Sequence, residues 1–221
     1  MSKTKTDVVI DEKVQQIVLE PEPVKVIMLN DDITPVDFVV ELLIKIFKHT
    51  EESAKEFKKD MFKAQNTGQK IIPIEIDSYG GEVYSLIKMI DVIKSSTVPV
   101  ATICIGKAMS CGAILLTFGA EGHRYMAPTA TVMIHEVSSG CWGKVEEIKA
   151  DAKEVERLNQ LALKLMANNC GKDSEYFLKI VHEKSHADWF LDAEETKKHN
   201  IVNHLRVPRM KLDFKVDVTF G

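Results

Sequence analysis

Residues 98–119 read VPVATICIGKAMSCGAILLTFG, and they decide the fold. The stretch opens on VPVATICI (98–105), apolar and rich in β-branched residues, as expected of a buried strand. SCGAILLTFG (110–119) then reads as a helix entered without a loop. A buried strand feeding straight into a helix is a building step of α/β proteins. Ser110 and Cys111 stand at the junction, both possible nucleophiles, and the local residues do not choose between them.

The same rhythm continues outward. IIPIEI (71–76) is a short apolar strand, followed by Gly80-Gly81 and by a helix with Val83, Leu86, Ile87, Ile90 and Ile93 on one face. TVMI (131–134) is another strand. Residues 144–169 predict a long helix with Val145, Ile148, Ala152, Val155, Leu158, Leu161 and Leu165 along one side, ended near Gly171. Ahead of these lies a helix over 51–65 with Ala54, Phe57, Met61 and Ala64 on one face, closed by Gly68. Asp173 and Asp192 cap two shorter helices. The alternation predicts an α/β layered fold with crossover helices over residues 51–208. Residues 1–23, ending in Glu20-Pro-Glu-Pro23, read as a flexible leader. Val24–Leu29 as a strand, with a helix started by Thr34-Pro35 and Asp37, makes 24–50 a strand–helix extension. In the tail 209–221, KLDFKVDVTF (211–220) alternates like a half-buried strand.

Composition limits the function classes. A chain of 221 residues, 45% hydrophobic and 28% charged, fits one soluble domain of good size. Its net charge of −4 gives no electrostatic case for nucleic acid or an anionic membrane. Four cysteines without a C-x-x-C pair point to a reduced, cytoplasmic life. The N-terminus is too polar for a signal peptide, and no stretch approaches the ~18 apolar residues of a membrane span.

Three places carry chemistry. Ser110 lies in A-x-S-x-G at a helix start, where backbone N–H groups and the helix dipole favour developing negative charge. A small-residue helix start is also an ordinary packing feature. His135 closes strand 131–134 and could serve as a base, and Asp188 could orient it; a strand-end histidine and a loop aspartate are equally at home as structural groups. Gly80-Gly81 can turn with positive φ and present an unhindered N–H, as an oxyanion hole requires, or can simply form a turn.

Together, IDSYGG (76–81), ATICIGKAMSCGAILLTFGAEGHRYMAPTATVMIH (101–135) and DWFLDAEETKKHNIV (188–202) resemble the proteolytic subunit of the Clp protease family. The resemblance implies a crotonase-like α/β spiral with helix 144–169 as a protruding handle. It implies a serine endopeptidase in which Ser110 is the nucleophile, His135 the base and Asp188 the orienting acid. The N–H groups of Gly81 and Cys111 would form the oxyanion hole, and Gly80, Ser139, Gly140 and Cys141 would flank bound peptide. It further implies a homo-oligomer of two stacked heptameric rings, fed with unfolded polypeptide by an AAA+ unfoldase. No cofactor is expected: no G-x-x-x-x-G-K-[ST] is present, so ATP would be used by the partner. Tyr79 stands where the family has proline, and Glu136-Val137 where it has Gln-Pro, both beside the substrate groove. The rival readings are a non-catalytic ring subunit and a crotonase-like acyl-CoA enzyme.

Two stretches point elsewhere. HEKSH (182–186) satisfies the H-E-x-x-H zinc pattern, with Glu183 as the base; no distant third ligand is signalled, so no metal is expected. VKVIMLNDDITPVDFVVELLIKIF (24–47) resembles the first strand and helix of the Clp N-end-rule adaptor, which would put Asn30, Asp31, Asp32 and Thr34 around a substrate amino group. About half of that domain is present, and the same residues also suit an early strand and helix of the protease fold.

Overall fold

Among the described residues, Thr50 starts the first helix with a reciprocal cap. Its Oγ1 accepts from the Ser53 N–H at 3.2 Å, while Ser53 Oγ accepts from the Thr50 N–H at 2.8 Å. The computed structural model describes residues 50–209. The leader, the strand–helix extension up to residue 49 with Asn30, Asp31, Asp32 and Thr34, and the tail from residue 210 lie outside the described residues.

Helix α1 (Glu51–Gln65) buries Ala54, Phe57, Met61 and Ala64, the face the spacing predicts. Strand β1 (Ile72–Ser78) follows, then α2 (Val83–Lys94), which buries Leu86, Met89, Ile90 and Ile93 and leaves Ile87 half-buried. Strand β2 (Val100–Met109) is longer than its apolar run and reaches the residue before Ser110. Helix α3 (Cys111–Leu116) starts at once, and all six of its residues are buried. β3 (Arg124–Met126), β4 (Thr131–Ile134), α4 (Val145–Asn169), α5 (Tyr176–Glu183), β5 (Trp189–Leu191) and α6 (Ala193–Lys198) complete the order.

The strands form one sheet in the order β1-β2-β4-β5, with β3 also on β2. β1, β3 and β4 run parallel to β2, whereas β5 is antiparallel to β4. β2 bridges the sheet: its early residues Thr102–Cys104 pair with β3 and its last residues Lys107–Met109 with β4. The parallel strands with intervening helices match the predicted α/β class, and helices α1, α2 and α3 bury their apolar faces in the same core as β1 and β2.

Two expectations are corrected. The predicted apolar face of α4 is not continuous: burial begins only at Leu158, while Val145, Ile148 and Ala152 are exposed, because no described element packs on the first turns. Asp173 accepts from the Glu175 N–H at 3.0 Å and forms a turn ahead of α5, whose N-cap is Glu175. Asp192 does cap α6, accepting from the Glu195 N–H at 2.8 Å. Among the described residues no helix is long and apolar enough to cross a membrane.

Candidate active site

The strand ends assemble the site. Parallel pairing of β2 with β4 ends at Met109↔Met133, so Ser110 and His135 leave adjacent strands at the same edge, and the Ser110 N–H donates to Met133 O at 2.8 Å. Antiparallel pairing of β4 with β5 runs Val132↔Leu191, Met133↔Phe190, Ile134↔Trp189. One further step in that register sets His135 opposite Asp188. Gly80-Gly81 leaves β1 on the far side of β2, also at the carboxyl edge. Ligands of open α/β sheets bind outside this edge.

Ser110 sits in a strained turn, with φ 53° and ψ −121°, a region that residues with a Cβ rarely occupy. The turn lifts the hydroxyl out of the strand line at the start of α3. Its packing explains one of the glycines: a Cβ on Gly80, whose φ is 102°, would lie 2.7 Å from Ser110 Cβ and 3.2 Å from the Cys111 nitrogen. The two side chains at the junction take different roles. Cys111 is buried, and its Sγ donates to the Gly81 carbonyl at 3.2 Å, tying the Gly80-Gly81 turn to the start of α3. Burial pushes its thiol up to about 11, despite the hydrogen bonds to Gly81 and Ser110, so it stays protonated at neutral pH and is a poor nucleophile. The Cys111 N–H, in contrast, belongs to the first turn of a helix and has no acceptor within it.

Gly81, Ser110, Cys111 and His135 line one cleft, floored by Ile114, Ala162 and Leu163. Among the described residues no hydrogen bond joins Ser110 to His135. His135 Nδ1 lies 3.9 Å from Asp188 Oδ1, beyond hydrogen-bond reach. Catalytic hydrogen bonds of unliganded sites often tighten only with substrate. Val137 and Ser138 form part of the cleft wall, while Ser139, Gly140 and Cys141 are exposed and do not line it. Gly80 likewise packs behind Ser110 rather than lining the cleft.

The Clp protease model of protein families matches residues 39–208. The chain belongs to the Clp protease family. A curated relative, the ATP-dependent Clp protease proteolytic subunit 1 of Rhodopirellula baltica, is 34% identical over 137 residues, 62% of this chain and 59% of the relative. The chain thus spans about three fifths of that relative's length.

Within this Clp protease family member, the two departures beside the groove have visible partners. Tyr79 is exposed, with Lys107 Nζ 4.2 Å from its ring centre, and the same amine holds Asp77 Oδ1 at 2.6 Å. Glu136 accepts from Asn159 Nδ2 at 3.3 Å, while Asn159 Oδ1 accepts from the Val137 N–H at 3.0 Å. Asn159, Ala162 and Leu163 were not singled out from the sequence. The two apolar residues look like ordinary core positions of a long helix, and Asn159 carries no motif. The H-E-x-x-H stretch does not form one helical face: α5 ends at Glu183, and Ser185 and His186 have φ of 58° and 61°. A third metal-capable group is nonetheless present. Glu136, brought by the β4–β5 pairing, faces both histidines, and Glu183 is not part of the group.

Proposed function

We propose that this chain is a serine endopeptidase working through an acyl-enzyme, with Ser110 as nucleophile, His135 as base and Asp188 as orienting acid. The observation that carries the reading is the convergence of these three residues at the ends of adjacent strands β2, β4 and β5, in a Clp protease family chain.

Ser110 Oγ attacks the peptide carbonyl as His135 takes its proton, forming the O–C bond. The carbonyl π electrons become an oxyanion facing the Gly81 and Cys111 N–H groups. Collapse breaks the C–N bond, and His135 returns the proton to the leaving amine. Water then repeats the sequence in reverse roles and frees Ser110. Asp188 holds the imidazole tautomer. The floor of Ile114, Ala162 and Leu163 would receive an apolar side chain of the substrate. No cofactor takes part.

The same reading includes a cytoplasmic homo-oligomer of two stacked heptameric rings. An AAA+ unfoldase that hydrolyses ATP would thread unfolded polypeptides to sites enclosed by the rings. Trp142, 91% exposed, together with Val145 and Ile148 at the start of α4, offers an apolar surface for contact between copies. The deciding experiment is fluorophosphonate labelling of the assembled particle, with mass spectrometry of the adduct. A single adduct on Ser110 supports the reading; an adduct elsewhere, or none, overturns it.

A further inference from the structure

We infer that Glu136, His182 and His186 form a site for a divalent transition-metal ion of the zinc class, one that joins the segment after His135 to the segment before Asp188. One ligand atom from each residue lies within 4.8 Å of the other two. His186 Nδ1 is 2.6 Å from Glu136 Oε2, and His182 Nε2 is 3.5 Å from Glu136 Oε1. The two imidazole centres are 4.6 Å apart. Ligand atoms around a tetrahedral zinc are about 3.4 Å from one another, given bonds of about 2.0–2.1 Å. The His182–Glu136 spacing already fits, and His186 needs only a small opening, which half-exposed side chains accommodate. Two imidazoles and one carboxylate, with a fourth position left for water, form a donor set suited to zinc, cobalt or nickel.

The backbone and the neighbours favour this arrangement over a chance surface cluster. Past the end of α5, Ser185 and His186 both adopt left-handed backbone, and the His186 N–H donates to Val181 O at 3.0 Å. This doubling-back returns His186 to the ring of His182, 4.6 Å away. Lys184, the cation between the two histidines, turns away and sits 5.2 Å from the Trp189 ring centre. Asn159 Nδ2 donates to Glu136 Oε1 at 3.3 Å, a supporting hydrogen bond of the kind that ligating carboxylates usually have. The carbonyl end of α5, at His182, adds a partial negative charge.

Glu136 adjoins His135, and His186 is two residues from Asp188, so a bound ion would cross-link the two segments whose spacing sets the His135–Asp188 distance. The site goes beyond the peptidase reading, and its test is independent of turnover. The full chain carrying Ser110→Ala and Cys141→Ser, without an affinity tag, is titrated with Zn2+ against a chromogenic chelator. One ion per chain is expected. Glu136→Gln, His182→Gln and His186→Gln should each weaken binding at least about tenfold, and Glu183→Gln should leave it unchanged. Zn2+ should also raise the melting temperature of the parent and not that of the correctly folded His186→Gln variant. Absence of stoichiometric binding overturns the site, as does binding that survives Glu136→Gln or is lost in Glu183→Gln.

Discussion

His135 and Asp188 face each other one step beyond the last residue pair of β4 and β5, with Nδ1 and Oδ1 3.9 Å apart. The pairing supplies the direction of approach, and closure by about 1 Å would make the hydrogen bond. Asp188→Asn should therefore lower kcat by roughly 10²- to 10⁴-fold with little change in KM, since the amide would favour the wrong imidazole tautomer. In a structure of the fluorophosphonate adduct, the His135–Asp188 distance should fall into hydrogen-bond range. An unchanged kcat in the asparagine variant would remove Asp188 from the mechanism.

Ser110 and Cys111 are separable. Ser110→Ala should abolish turnover and labelling. Cys111→Ala should retain activity within about tenfold, because it loses the thiol's hydrogen bonds to Gly81 and Ser110, each worth about 1 kcal/mol, and keeps its N–H. Peptide turnover measured on both variants checks this. A dead Cys111→Ala particle with normal assembly would shift the chemistry to sulfur.

Gly80→Ala tests the fit behind Ser110. The added methyl would meet Ser110 Cβ at 2.7 Å on a backbone with φ of 102°. Strain of about 1–3 kcal/mol corresponds to a melting temperature lower by roughly 2–12 °C, at about 2–4 °C per kcal/mol for a chain of this size. The labelling rate of the folded protein should fall as well, since the turn that presents Ser110 must move. An unaltered labelling rate would show that the close approach is not needed.

How far the sequence led differs from residue to residue. The helix over 51–65, the strand 131–134 and the positions of Ser110, His135 and Gly80-Gly81 were legible, because each is marked by a long periodic face, a run of apolar residues or a spacing. β3 and β5 were not, since three residues are too few to show alternation. The neighbourhood of His135 and Asp188 was accordingly expected from resemblance alone; its cause, the β4–β5 register, is a contact across more than fifty residues of chain. Glu136 escaped as a partner of the two histidines for the same reason. The exposed first half of α4 suits the protruding handle that the resemblance implies, but periodicity alone does not show it, because an apolar stripe reads alike whether it covers a core or waits for another copy.

Thiol reactivity gives a test that follows from burial. Burial raises the thiols of Cys104, to about 12, and of Cys111 and Cys170, each to about 11. A raised value leaves the thiol protonated, so almost no thiolate is available at pH 8. Iodoacetamide on the native protein at that pH should modify exposed Cys141 and spare the other three, as read by peptide mass mapping. Alkylation of Cys111 at a rate comparable to Cys141 would contradict its packing against the Gly80-Gly81 turn.

The backbone of Ser110 carries a wider consequence. With φ at 53°, this is a position where a chain selected for stability alone would hold glycine. Ser110→Gly should be inert yet melt at a higher temperature than the parent, a gain that Ser110→Ala, still bearing a Cβ, would not share. Loss of catalysis would then run downhill in stability. On the reaction proposed above, stability is given up at this one residue so that the hydroxyl is presented out of the strand.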